Sequence, residues 1–451
     1  MQSLPIELKR LCVEFLEEND REVDRYDEND HSEAFEALKA LRLVNHEIGS
    51  LATEVLFRTA VLERRDDSRE KLAALIQSKY CRNVKCVVIK DSDYDDFEVD
   101  DPGEEMEVTE TYTRALASLC RFPNLQELCL EFDKACAADA YLDMEVNQTI
   151  NYRSAILSTI FKAVQGLKTL KVLSIKNLQD HMDRQILDSE VFRSIRSRLS
   201  GLHLQITTED VEQHSLDFAA IHRGFTIDLP ELWLKPVLPH LTHLTLYSYT
   251  CMWGLYPFVD FREVGTFPCL QSLSFGNWTI AHDWQIDWIL SHGSTLKQLL
   301  LDDCFIIAAL RMADDDDMAK LNFPGLKIDN AGGRYHKLVS LRWHRVLDLF
   351  RSTLTHLEHF ALRSSEYGEN HWDVDDFDRR YKLANESNID NDHYNVYNCG
   401  SVPCWLDLPG VVKNSRQDKE DWIEFTGGGQ DDTEALGRLM DVVNKRGRNT
   451  V

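Results

Sequence analysis

The pattern L-x-x-L-x-L, with other apolar residues replacing some leucines, recurs along this chain and limits its fold more than any other feature. It occurs as Leu125, Leu128, Leu130, as Leu170, Leu173, Ile175, as Leu199, Leu202, Leu204, and as Leu241, Leu244, Leu246. Leu270, Leu273, Phe275, then Leu296, Leu299, Leu301, and Leu357, Phe360, Leu362 complete the clear set, and Val84, Val87, Ile89 is a weaker first copy. Alternate residues of a strand point to one face, so each copy reads as a short strand whose apolar side chains fill the narrow interior of a curved parallel sheet. From Leu170 to Leu199 and from Leu241 to Leu270 is 29 residues, and from Leu270 to Leu296 is 26. Strand-plus-helix units stack at roughly this period, about 20–29 residues.

Helix-like runs separate the copies. Tyr152 to Gln165 carries Ile156, Ile160, Phe161 and Val164 at helical spacing, and Trp284 to Leu290 carries Ile286 and Ile289 after Asp283. Strand then helix, repeated, predicts an α/β fold: an irregular leucine-rich-repeat solenoid over 63–365, with parallel strands and helices on the convex side. Acidic stretches 91–110 and 312–337 fall in the longer gaps and read as inserted loops. Beyond that array the pattern decays, and 366–451 reads as a loop-rich flank. A terminal helix over about 431–444 carries Leu436, Leu439, Met440 and Val443 on one face and could cap the open end of the array.

Residues 1–62 read differently. Ser3 and Pro5 suit a helix start, and Leu8, Leu11, Cys12, Phe15 and Leu16 follow at helical spacing, predicting a helix over roughly 5–18. Glu17 to Glu36 holds ten acidic and two basic residues and reads as an acidic insertion, 17–36. Phe35, Leu38, Leu41, Val44, Ile48 and Leu51 then form one apolar stripe, and Ala52 to Leu62 a third short helical run. Three short amphipathic helices bury little surface alone, and so wide an apolar stripe predicts a partner covering part of it.

These residues carry a family resemblance. Leu4-Pro5-Ile6-Glu7-Leu8, Leu38 to Asn45, Leu51-Ala52-Thr53 and Leu56-Phe57-Arg58-Thr59 resemble an F-box of the filamentous-fungal type. Ser291 to Ile306, Phe267 to Leu273 and Leu349 to Leu362 resemble internal repeats of the same family, so the resemblance covers most of the chain. It implies a three-helix F-box that binds a Skp-family adaptor and, through it, a cullin, as the substrate receptor of a ubiquitin ligase. It also implies Leu4, Pro5, Leu8, Leu11, Phe15, Leu41, Val44 and Leu51 as adaptor-binding residues. The chain departs from the family in its acidic insertion and in Ile48, which stands where an aromatic is common. A leucine-rich-repeat scaffold with no part in ubiquitin transfer is the alternative, its helical module closed against its own repeats.

Composition narrows the classes. With 76 acidic against 50 basic residues the net charge is −26, which disfavours nucleic acid as a partner. The eleven cysteines form no C-x-x-C pair and read as buried thiols of a reducing compartment, and no long apolar span or leader pattern occurs, so cytoplasm or nucleus is expected. No catalytic, cofactor-binding or metal-ligand motif stands out: His46-Glu47 lacks a second histidine at Ser50, Gly427 to Gly429 lacks a lysine, and Asp314 to Asp317 reads as a solvated loop. The expected activity is therefore non-catalytic, without cofactor or metal. For the unknown protein target the candidates are Tyr247, Tyr249, Trp253, Trp278 and Trp284, clustered around two consecutive copies of the pattern. Partner hot spots favour Trp and Tyr, with core packing as the competing reading.

Overall fold

The computed structural model describes residues 5–20, 33–91, 107–137, 148–181, 183–208, 223–248, 252–255, 257–312, 329–331, 334–363, 387, 389, 393–399 and 429–448. The chain is α/β, with parallel strands flanked by helices, and divides into two compact units. The first comprises Met1–Glu98, Val108–Phe132 and Ile156–Ser174, and the second Val99–Glu107, Asp133–Ala155 and Ile175–Val451.

In the first unit, helices α1 (Ile6–Asp20), α2 (Glu33–Leu41) and α3 (His46–Leu56) precede three parallel strands. These are β1 (Thr59–Glu63), β2 (Cys86–Lys90) and β3 (Glu127–Glu131), with α4 (Asp66–Gln77) and α5 (Glu110–Ala117) in the connections. Leu62 pairs with Ile89, Val87 with Leu128 and Ile89 with Leu130, so the apolar positions stack in register.

The second unit repeats this arrangement at greater length. Strands β5 (Gly201–Thr207), β6 (His243–Ser248), β7 (Ser272–Gly276), β9 (Gln298–Asp302) and β13 (His359–Arg363) are parallel neighbours in that order. Leu202 pairs with Leu244, Leu244 with Leu273, Leu273 with Leu299 and Leu299 with Phe360. Helix α6 (Ile150–Val164) and strand β4 (Val172–Gln179) contribute residues to both units. Between the strands lie α7 (Arg184–Leu187), α8 (Glu190–Arg196), a π-helical segment Gly224–Leu234, α9 (Phe261–Val264), α10 (Asp283–Leu290) and α11 (Trp343–Thr353).

The leucine pattern is the core. Every residue of the eight triplets is at most 2% exposed, which makes them interior positions rather than surface ones. The two residues between the first and second leucine carry a shared device. The carbonyl of the first accepts hydrogen bonds from two successive N–H groups of the next triplet: Lys85 and Cys86 bond to Arg58 O at 2.8 and 3.1 Å, and Gln271 and Ser272 to Thr242 O at 2.8 and 3.0 Å. The same bond pair recurs on the carbonyls of Lys85, Gln126, Ser200, Gln271 and Lys297. Because the acceptor sits at a fixed place in the pattern, it sets each strand's register against the next.

Five expectations from the sequence change. The stripe from Phe35 to Leu51 is not one helix: α2 stops at Leu41, and Asn45 Oδ1 accepts a bond from Ile48 N at 2.9 Å to start α3. The apolar spacing continues across this turn, so periodicity does not register the break. The run Ala52–Leu62 is helical only to Leu56, after which Thr59–Glu63 joins β2 because Phe57, Ala60 and Leu62 form a further triplet, disguised by its alanine. The expected acidic loop 312–337 contains β11 (Asp329–Ala331) and β12 (Arg334–Leu338), a hairpin beside β10 (Phe305–Met312). The expected loop-rich flank contains β14 (Tyr394–Cys399), parallel to β10, whose other parallel neighbour is β8 (Thr279–Ile280). Ile306 and Ile307 are fully buried in β10, and such a strand needs neighbours on both edges. The final helix, α12, spans Gly429–Arg448, longer than expected.

Candidate docking surface

The cluster of α1, α2 and α3 closes on a small core of Val13, Leu38, Leu51, Ala52 and Val55, with Leu16, Leu41 and Leu56 packed at its margin. Charged pairs hold α1 in place. Lys9 Nζ, itself buried, meets Glu47 at 2.7 Å, Arg10 meets Glu54 at 3.2 Å, and Glu14 meets Arg58 at 2.8 Å. The turn between α2 and α3 lies tight against α3: a Cβ on Gly49 would stand 2.7 Å from Arg42 O, so only glycine fits there. Burial raises the Glu54 carboxyl, but the hydrogen bond and charge of Arg10, with Lys85, outweigh it and hold its pKa below the usual carboxylate value.

With Lys9, Val13 and Leu16 turned inward, α1 carries a second apolar face. Leu8, Leu11 (60% exposed) and Phe15 (58% exposed) stand on it at i, i+3 and i+7, with exposed Cys12 among them. Ile6, Phe35, Val44 and Leu43, the last 88% exposed, add to the apolar surface of this cluster. Seven of the ten large hydrophobic side chains exposed among the described residues therefore lie between residues 6 and 44. Apolar side chains concentrated in this way on one small cluster mark an interaction surface.

The proposed adaptor-binding residues thus separate. Pro5, Leu8, Leu11, Phe15 and Val44 are exposed, Leu41 is half-buried, and Leu4 lies outside the described residues. Leu51 is withdrawn into the core, because the turn at Asn45 rotates α3 and carries this position inward. Ile6, Phe35 and Leu43 were missed: Leu43 falls out of phase with the stripe that ran through the turn. A different signal, an Asn or Asp two places after the third apolar residue, was also available. Asn177, Asn277 and Asp303 hold positive φ of 55°, 54° and 47° at that point, where those side chains tolerate the left-handed conformation: just past the end of β7 and β9 for Asn277 and Asp303, and within β4 for Asn177.

The target candidates fare otherwise. Tyr247, Trp253 and Trp278 are buried, so they are core rather than surface. Phe275 stands 5.5 Å from the Trp253 ring and 4.6 Å from that of Trp278, and Trp253 Nε1 donates to Gly276 O at 2.8 Å. These rings are large enough to fill the space between consecutive triplets, which is why they cluster. Trp284 is half-buried, with the Arg262 guanidinium 4.5 Å from its ring and His282 stacked at 5.5 Å. Tyr249 lies outside the described residues. The alternate face of β5 to β7, carrying His203, Gln205, Thr245, Tyr247 and Ser274, is also buried. His203 Nδ1 and Thr245 Oγ1 lie 2.9 Å apart, and burial, with His243 nearby, pushes the His203 pKa down to about 3.

Among the described residues no group of His, Cys, Asp and Glu side chains converges as a metal site, and no helix is long and apolar enough to cross a membrane. No protein-family model matches the chain, and no curated protein is similar to it in sequence.

Proposed function

We propose that this chain is a substrate-receptor subunit of a Skp–cullin–F-box ubiquitin ligase, acting in the cytoplasm or nucleus. The N-terminal helices are an F-box that docks a Skp-family adaptor, and the triplet-bearing strands are a leucine-rich-repeat solenoid that holds a protein target. Its contribution is non-catalytic: it raises the target's local concentration at an enzyme carried by the rest of the complex. The observation that supports this reading is the second apolar face of α1, with Leu8, Leu11 and Phe15 outward on a helix whose core residues face the other way.

The test is co-purification with a recombinant Skp-family adaptor. Each half-exposed anchor contributes on the order of 1 kcal/mol when covered, so a Leu8→Ala, Leu11→Ala, Phe15→Ala variant should bind at least 100-fold more weakly while keeping its melting temperature. A folded wild-type chain that never retains the adaptor would sink the proposal. A second reading, a repeat scaffold without ubiquitin transfer, draws support from the ties between the helical cluster and the strands: Glu14 to Arg58, and Glu54 to Lys85 at 3.5 Å. On that reading the helices are an N-terminal cap, and neither the wild-type chain nor the triple variant retains an adaptor.

A further inference from the structure

Helix α11 is the last helix between the parallel strands, and its N-terminus lacks a side-chain cap of its own. Its N-cap residue, Arg342, makes no side-chain cap bond. The first turn is instead served from α12. His344 N donates to Asp432 Oδ1 at 2.7 Å, and His344 Nδ1 lies 3.0 Å from the same oxygen. Asp432 Oδ2 accepts from Tyr394 OH at 2.6 Å, and that hydroxyl accepts from Trp343 N at 2.9 Å. At the other end, Arg446 Nη1 donates to Leu354 O at 2.7 Å and Leu357 O at 3.4 Å. Midway, Arg438 pairs with Asp348 at 2.9 Å.

The order Asp432, Arg438, Arg446 matches the order 344, 348, 354, so the two helices run parallel. Asp432 then meets the positive end of the α11 dipole and Arg446 its negative end. Fourteen residues separate these two, about 21 Å of helix, which spans α11 from first turn to last. Leu436, Leu439 and Val443 are buried on the same side of α12, and Asp432 is 2% exposed.

We infer that α11 forms a helix-receiving groove with a two-ended charge code, and that α12 occupies it as a separable docking module on which the last helix of the series depends. The groove selects a parallel helix with a carboxylate in its first turn, an apolar stripe, and an arginine fourteen residues on. The occupant is this chain's own segment 429–448, and the inference stands apart from adaptor binding at the other end of the sequence.

The test uses the full-length chain with a site-specific protease sequence inserted between Gly427 and Gly428, cut after folding. The wild-type 429–451 fragment should stay with the body through size exclusion and exchange with added synthetic 429–451 peptide. The fragment carrying Asp432→Asn and Arg446→Ala should leave. In the uncut chain the same two substitutions should speed amide exchange across Trp343–Thr353 at least tenfold and leave β5 to β7 unchanged. A wild-type fragment that washes off a body still folded, a double-variant fragment held as firmly as wild type, or unaltered exchange in α11 would overturn the inference.

Discussion

His203 sits wholly inside the second unit, with its folded pKa near 3 and its unfolded value near the ordinary roughly 6.5 for histidine. Between those values the unfolded chain binds a proton that the folded chain refuses. Stability is therefore complete above about pH 6.5 and falls by about 1.4 kcal/mol per pH unit as acid is added toward pH 3. His292, its pKa pushed down to about 4 by burial, acts with the same sign. His203→Gln keeps a hydrogen-bonding group for Thr245 and removes one titration. Its urea midpoint should fall less than wild type's between pH 7 and pH 5, and parallel falls would show that His203 is not held neutral. Gly276 illustrates a steric constraint at the same scale. A Cβ there would overlap the Tyr247 ring, so Gly276→Ala should lower stability by about 1–3 kcal/mol in a denaturant titration. A neutral result would mean that Tyr247 moves aside freely.

Among the elements, the break between α2 and α3 depends on one side chain. Asn45→Ala removes the bond to Ile48 N and should cost about 1 kcal/mol. Because Leu43 and Val44 lie in that turn, the variant should also weaken any partner bound there, read as a lower melting temperature together with faster dissociation. An unchanged melting temperature would mean that the turn is held by Gly49's close approach alone. These elements also mark how far the sequence could be read. The eight triplets were legible because leucine, isoleucine and phenylalanine at alternate places have few other uses. The triplet at Phe57, Ala60 and Leu62 was hidden, because alanine belongs equally to a helix and the chain had just been one. On α1 the helical spacing marks the apolar residues but puts Leu16 on one face with Leu11 and Phe15. The structure separates them, since α2 and α3 occupy only the side carrying Val13 and Leu16. Strands β11, β12 and β14 were illegible, because their pairing is set by distant β10 rather than by local alternation. Trp253 and Trp278 are core for a related reason: the sequence places them on neighbouring copies of the pattern but not on its outer or inner side.

For the molecule as a whole, charge sets a competition whose sign is measurable. The 76 acidic residues outnumber the 50 basic ones, and many basic side chains are already engaged locally, as in Lys71–Asp67, Arg114–Glu110 and Lys235–Glu231. Those exposed pairs contribute little each, and salt weakens them. The unbalanced carboxylates repel over longer distances, and salt weakens that repulsion too. With a net charge of −26 the repulsion is the larger sum, so raising sodium chloride from about 0.02 M to about 0.5 M, which shortens the screening length several-fold, should raise the melting temperature. A fall would mean that local pairs dominate and that the acidic excess is spread too thinly to matter. Docking at α1 should respond differently, because Leu8, Leu11 and Phe15 are apolar while Lys9, Arg10 and Glu14 are already paired within the chain. Adaptor affinity should therefore change less than about threefold over the same salt range, whereas a contact made chiefly through the acidic excess would lose affinity steeply.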